Sequence, residues 1–430
     1  MPVTAPVSAA APATSAEVLD AYVQRSWRSN AQRQLDKGVP FVIGRREGIY
    51  MWNLEGTHRV IDCGCAGGVH SLGHRHPEVL AALRGALDEG RDTGLWAIPN
   101  PEYLKLQDRL ARLAPSPLLT HSVVTLASTT SVDVATMFAF RFTGRQRILA
   151  YRHGYHGHSG FAALTTGSEV EGIGDYYNLP QSEYVSFFER YGDLDEIAAR
   201  LTPDIAAIIL EAMDYETFAP ASKDYFEGIS RLCDARGILF IVDETRTGLG
   251  RTSRLWASEW YDIRPSMMVT GKGLSGGLYP ASALLMRGDI YEKCMNEHAF
   301  SYISSLGGNE ISCIVAGRVL DLASAPAFLA GVNRVSDYLT ARLGEVCERH
   351  HNLLSPGVGR GGLFSVNVND PAAVPGLYRA LYEQGVLGHS ASVIEPASIK
   401  LMPPLVLDEA GADEIAGALD RAAAAAGAAG

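Results

Sequence analysis

Two short segments of this 430-residue sequence hold residues that can do chemistry together. The first is Val242-Asp243-Glu244-Thr245-Arg246-Thr247-Gly248-Leu249-Gly250-Arg251-Thr252, and the second is Thr270-Gly271-Lys272-Gly273-Leu274-Ser275-Gly276-Gly277. Asp243 ends an almost wholly apolar run, which places it at the carboxyl edge of a sheet, where open α/β folds bind ligands. Lys272 ends the apolar run Ser266–Thr270 among glycines, which let another group approach the backbone closely. A lysine in such a partly desolvated place has its pKa lowered and can form a Schiff base with a carbonyl. Taken singly, a turn lysine and a strand-end aspartate are ordinary; their pairing points to chemistry.

A nucleotide phosphate loop around Gly271-Lys272 is excluded, because it needs glycine at 266 and Ser or Thr at 273, and the chain has Ser266 and Gly273. A different anion site is suggested by Ala127-Ser128-Thr129-Thr130-Ser131-Val132-Asp133, between a predicted strand and a predicted helix. Free amides at a helix start, with hydroxyls beside them, suit a phosphate monoester. Thr130 with Asp133 three residues on predicts a capping box there. In Arg152-His153-Gly154-Tyr155-His156-Gly157-His158, directly after a strand, Tyr155 is placed to lie flat against a bound ring. The histidines of this stretch and of Gly73-His74-Arg75-His76-Pro77 lack metal-ligand spacing, so no metal site is expected.

The elements that must carry these groups can be read from pattern. From Ser122 onward short β-branched apolar runs alternate with helical patterns, the signature of a mostly parallel α/β sheet covered by helices. The predicted strands are Ser122–Ala127, Arg147–Arg152, Ile205–Glu211, Ile238–Glu244, Ser266–Thr270 and Ala281–Met286. Helices are predicted at Ser131–Phe142, Leu194–Arg200 and Lys223–Ala235, the last stopped by Arg236-Gly237. Beyond Gly308 come helices Glu310–Ala323 and Leu329–Glu348, a strand Leu363–Val368, a helix Pro375–Gln384, a strand near Ile399–Leu401 and a helix near Ala410–Ala425. A strand pair, Gly48–Asn53 and Arg59–Cys63, precedes the alternating region. The expected organisation is a disordered arm over 1–16, a segment 17–70 that joins the small domain, a large domain over 71–310, and a small α+β domain over 311–430.

Composition narrows the class of partner. Lys and Arg total 37 against 48 Asp and Glu, a net charge of −11 that opposes phosphate backbones, so no nucleic acid is expected. No apolar run approaches the roughly 20 residues that span a bilayer, so no membrane association is expected. Six scattered cysteines do not make a disulfide framework, and a cytoplasmic location fits them.

Taken together, the segments resemble the class III (subgroup II) aminotransferases, fold-type I enzymes dependent on pyridoxal 5′-phosphate. The marks run over Tyr50…Asn53…Gly56…Asp62, Leu72-Gly73-His74-Arg75-His76-Pro77, Gly154-Tyr155-His156-Gly157, Asp243-Glu244…Thr247-Gly248…Gly250-Arg251-Thr252, Lys272, Gly307-Gly308-Asn309 and Pro403-Pro404-Leu405. The resemblance implies an aminotransferase that takes small amine and carbonyl substrates. Lys272 would hold the cofactor as a Schiff base and move protons, and Asp243 would pair with its ring nitrogen. Tyr155 would stack on its ring, and Ser128 and Thr129 would bind its phosphate. Ser305 would reach the cofactor of the partner subunit, which implies a homodimer.

The departures from the family pattern bear on substrate. Arg246 stands where an amide is usual near the cofactor's phenolic oxygen. Lys400, in Ile399-Lys400-Leu401-Met402-Pro403-Pro404, replaces an arginine that grips carboxylates, and offers a point charge in place of a fork. Glu216 falls where some relatives pair a glutamate with that arginine, so a Glu216–Lys400 pair is expected. Gly67 leaves open space where relatives place a larger residue. The alternative outcomes on the same fold are an aminomutase, an epimerase or a decarboxylase; a catalytically silent binding protein is the reading from another class.

Overall fold

In the computed structural model the described residues are 14–94, 98–167, 176–392 and 397–428. Most of the predicted arm therefore lies outside them, and the helix Ser15–Arg25 begins two residues inside its expected end. Thr14 caps that helix through a reciprocal bond with Glu17, so local hydrogen bonding orders residues 14–16, the last three of the predicted arm.

Among the described residues there are fifteen strands, beginning with β1 (Ile43–Glu47), β2 (Tyr50–Asn53), β3 (Arg59–Cys63), β4 (His121–Thr125) and β5 (Arg147–Tyr151). Next are β6 (Val185–Phe188), β7 (Ile205–Glu211), β8 (Leu239–Asp243), β9 (Met267–Thr270) and β10 (Ser282–Met286). The last are β11 (Leu354–Pro356), β12 (Phe364–Val368), β13 (Val386–Gly388), β14 (Ser390–Ser392) and β15 (Ser398–Leu401). A seven-stranded sheet has the order β4-β10-β9-β8-β7-β5-β6, with only β10 running against its neighbours. Every residue of β7 and β8 is buried, as a parallel sheet covered on both faces demands. The mixed α/β class expected from the sequence is therefore the one formed.

β6 escaped the sequence reading because Val185–Phe188 is only four residues long. β1 and the helices Ser15–Arg25 and Arg28–Asp36 escaped it because their faces are mostly solvated and carry little apolar periodicity. A second core joins Val60 and Ile61 of β3 to Leu377, Ile399 and Leu419 near the other end of the chain. Two further four-stranded sheets, β1-β2-β3-β13 and β11-β12-β15-β14, belong to that packing.

Register in the large sheet brings its charged strand ends together. Glu211 of β7 faces Asp243 of β8, and Asp243 faces Val269 of β9, so the carboxyl ends of these strands come level. Fully buried Arg251 ties this edge to the second core. Its guanidinium donates to the carbonyls of Gly362 at 3.1 Å and Pro403 at 2.6 Å, and to Ser71 Oγ at 3.1 Å. Arg251→Leu should cost about 3 kcal/mol of stability by leaving those acceptors dry. Exposed Arg231→Ala should stay within about 0.5 kcal/mol of wild type; denaturant unfolding of both variants checks the contrast.

Candidate active site

At the level carboxyl ends of β7, β8 and β9 the chain gathers its buried charges. Asp243 Oδ2 lies 2.8 Å from His156 Nδ1, and the aspartate also accepts from the amide of Thr245 at 2.9 Å. Burial alone would push this carboxyl up, but the bonds from His156 and Thr245 outweigh it and hold it below the usual range. Asp243 therefore stays ionised out of contact with water. Neighbouring Glu211 is different: burial raises its pKa, and Arg246 at 3.4 Å only partly offsets that.

Arg246 is held in place by backbone. It donates to the carbonyls of Tyr215 at 2.8 Å and Asp214 at 3.2 Å, and its guanidinium lies 4.4 Å from the centre of the Tyr215 ring. Tyr155 stacks on the same Tyr215 ring, with centroids 5.2 Å apart and planes 20° apart. The cation and both rings thus form one rigid wall.

Lys272 faces that wall, its Nζ 5.8 Å from the centre of the Tyr155 ring. Its φ of 43° lies in the left-handed region, at a cost of about 1 to 2 kcal/mol for a residue with a Cβ. Burial lowers the lysine's pKa first and Arg246 lowers it further, against the pull of Glu211 and Asp243. Gly67, expected to leave open space, lines a cavity of about 490 Å³ and also faces the amine: a Cβ there would stand 3.1 Å from Lys272 Nζ.

The helix Ser128–Thr143 starts at Ser128, three residues earlier than predicted, with Ala127 as an N-cap that supplies no side-chain bond. The expected capping box is absent, because Thr130 lies within the first turn and Asp133 accepts from the amide of Ala162 at 2.9 Å. First-turn amides beside half-buried Ser128 and Thr129 are left for an anion. Two glycines let the surrounding loops close on them. A Cβ at Gly157 would come 2.4 Å from Thr129 Oγ1, and one at Gly271 would come 3.1 Å from Ser128 Cβ.

Lys400 lies buried on β15 with its Nζ 5.8 Å from the Phe218 ring centre. Burial lowers its pKa, Glu216 raises it and Arg246 lowers it, so it belongs to the same electrostatic field. The expected Glu216–Lys400 ion pair does not form among the described residues. Glu216 Oε2 lies 3.8 Å from His153 Nδ1 instead, since both leave the sheet from adjacent strand ends. Ser305 stands apart, exposed in the loop ahead of Asn309, which caps the helix Glu310–Ala323.

Sequence reasoning missed three groups here: the bond of His156 to Asp243, the carboxylate Glu211, and His389. The last approaches Gly64 O to 3.3 Å, and burial with Arg246 and Lys272 nearby pushes its pKa down to about 3. For Glu211 a signal existed, since it ends β7 as Asp243 ends β8.

The family profile described as aminotransferase class-III matches residues 31–423. The chain belongs to the class-III aminotransferases. An uncharacterized aminotransferase of Archaeoglobus fulgidus is 32% identical over 94% of each chain. An acetylornithine aminotransferase of Rhodobacter capsulatus is 29% identical over 90% of this chain and 95% of its own. The ornithine aminotransferase structure from Toxoplasma gondii superposes with a TM-score of 0.85 at 22% identity, covering 97% of this chain and 96% of its own, a likeness of fold. Another structure of that aminotransferase is described with pyridoxal phosphate at its active site. Class-III aminotransferases transfer amino groups with this cofactor, and this chain is such an enzyme.

The residues present fit the cofactor: a buried ionised carboxylate, an amine in front of an aromatic face, and an uncapped helix start cradled by two glycines. The His156 bond carries a test. Without it only the Thr245 bonds oppose the burial of Asp243 and its pKa rises, so the carboxylate is lost at a higher pH. His156→Phe should therefore shift the acid limb of the kcat/KM profile upward, whereas an unmoved limb would separate His156 from Asp243's charge.

Proposed function

We propose that this aminotransferase moves an amino group from an amino-acid or amine donor to an aldehyde or keto acceptor, with Lys272 as the reacting lysine. The observation that carries the assignment is the buried Lys272 amine opposite Tyr155, on the same strand-end edge as ionised Asp243. When bound, pyridoxal phosphate supplies an aldehyde carbon for the amine and a ring that withdraws electrons from it.

The chain's own residues do the rest. Lys272 Nζ, biased toward the neutral amine, would be the base that takes the proton from the donor's Cα and gives it up at the carbon the cofactor's aldehyde supplies. Asp243 offers fixed negative charge to a protonated ring nitrogen, with His156 keeping it ionised. Tyr155 would cover the ring face. Ser128, Thr129 and the first-turn amides would hold the phosphate. Arg246, fixed by the Asp214 and Tyr215 carbonyls, would serve the phenolic oxygen. Lys400 receives a substrate carboxylate, with Glu216 within its field.

The enzyme acts as a homodimer in which Ser305 contributes to the partner subunit's phosphate site. Supporting this, Ile98, Leu104 and Ile303 expose apolar side chains around a cavity of about 390 Å³, and Phe300 and Leu306, within five residues of Ser305 in sequence, are exposed as well. Two separate cores support a large and a small domain, the small one built from both chain ends; the helix Glu310–Ala323 packs in the large-sheet core, so the boundary we propose lies after Ala323 and not at 310. A cytoplasmic setting suits six free, buried cysteines.

Adding glutamate, alanine, ornithine or putrescine to the holoenzyme should convert its visible absorption band with at least one donor. Exchange without conversion would favour an epimerase or aminomutase. Borohydride reduction should fix the cofactor on the Lys272 peptide by mass, and Lys272→Ala should abolish turnover; wild-type activity in that variant would refute the assignment. Lys400→Met should raise KM for carboxylate-bearing substrates about tenfold, with kcat less affected.

A further inference from the structure

A cavity of about 490 Å³ adjoins the turn Gly64–Gly68, within the range of about 300 to 1,000 Å³ typical of small-molecule sites. Its inner wall includes Gly67 and His389; its outer wall is the helix Arg28–Asp36, which contributes Arg33, with Lys37 at the helix end. Gly67 lines this cavity and also meets the reacting amine, since a Cβ on it would stand 3.1 Å from Lys272 Nζ. His389 lines it too and feels the charges of Lys272, Arg246 and Lys400. The cavity is thus an annex of the active site.

Its charge is one-sided. Burial lowers the pKa of Lys37, and Arg33 lowers it further, with no carboxylate contributing. Asp36, next in sequence, is bonded to Gln32. Asp62, the carboxylate in the lining, is committed to His74 at 3.0 Å and to the amides of Gly64 and Cys65. Burial pushes His70 down to about 4 and His389 down to about 3, so both imidazoles are neutral at physiological pH. Two cations at the outer end therefore face an inner end with two neutral imidazoles and one carboxylate, Asp62, already committed to His74 and two backbone amides, so an anion is the missing counter-charge for Arg33 and Lys37.

We infer that the cavity takes the far end of the substrate, and that this end carries a carboxylate or phosphate that Arg33 and Lys37 bind while the amine reacts at Lys272. The inference rests on the transamination reading and adds the substrate class. Arg33 supplies a planar fork and Lys37 a point charge, a pairing suited to either oxyanion. The glycine at 67 puts no side chain between the amine and the cavity.

The test compares kcat/KM for the donor half-reaction, read by the visible spectrum of the holoenzyme. The donors are hexylamine, ε-aminocaproate and aminohexyl phosphate. The wild-type enzyme should prefer one or both anionic donors by about tenfold or more, and the better of the two tells carboxylate from phosphate. Arg33→Gln with Lys37→Gln should cut that preference about tenfold, and about 0.5 M salt should weaken it in the wild type. Exposed Arg231→Ala should leave it unchanged. Each single glutamine variant should lose part of the preference, which keeps the test valid if the double variant folds poorly. A wild-type enzyme with no preference, or a preference that survives both substitutions, overturns the inference and leaves transamination intact. No spectral change with any amine would instead bring down the transamination reading itself.

Discussion

An ionised carboxylate sealed from water is the constraint on which the rest of this site depends. Burial costs Asp243 the solvation that normally favours its charge, and hydrogen bonds must replace it. His156 Nδ1 at 2.8 Å and the Thr245 amide at 2.9 Å do so. Each of those donors has to be fixed in turn. Thr166 Oγ1 accepts from the amides of His156 and Gly157 and donates to Gly157 O, which locks the turn after β5 against the strand ends. Stacking of Tyr155 on Tyr215 and the grip of the Asp214 and Tyr215 carbonyls on Arg246 extend the same rigid surface.

The remaining charges are arranged so that none is isolated. Lys272, Arg246 and Lys400 share one low-dielectric region with Glu211, Asp243 and Asp214. In such surroundings each charge alters its neighbours' protonation strongly. Arg246 partly restores the charge that burial takes from Glu211, while it makes Lys272 a weaker acceptor of protons. An amide at 246 would do neither, so the cation sets the balance between lysine and carboxylates. Backbone strain adds to the cost at the same place. Lys272, Cys65 and Ala66 all take positive φ, a concentration typical of functional sites.

How much of this was legible in the sequence depends on how local each signal is. β7 was read to the residue, because seven buried apolar or strand-ending positions in a row admit few alternatives. The helices Leu194–Arg200 and Glu310–Ala323 were read to the residue as well, from periodicity and start signals. The motif residues Lys272, Asp243 and Tyr155 were legible because strand ends and glycines mark them. Contacts between distant segments were not: His156 and Asp243 are 87 positions apart, and nothing in either segment names the other. The capping box failed for a local reason, since the helix starts at Ser128 and leaves Thr130 too far inside to cap it. The Glu216–Lys400 ion pair does not form among the described residues: Glu216 lies 3.8 Å from His153 Nδ1, on the neighbouring strand end, while its charge still acts on Lys400.

Gly67 shapes the site on two sides. A glycine suggests room, and here the room is divided between an amine and a cavity. With φ at 66° and Cys65 and Ala66 also left-handed, the turn bends its backbone up to Lys272 Nζ, closer than a side chain would permit. A larger residue at 67 would have to displace the amine or strain the turn further. The turn itself is anchored away from the lysine: Asp62 accepts from the Gly64 and Cys65 amides, and Arg251 donates to Cys65 Sγ at 3.4 Å. One side of Lys272 is therefore a wall of fixed charges and stacked rings that serves the reaction. The other is a thin, rigidly held backbone turn that presents no side chain to the amine.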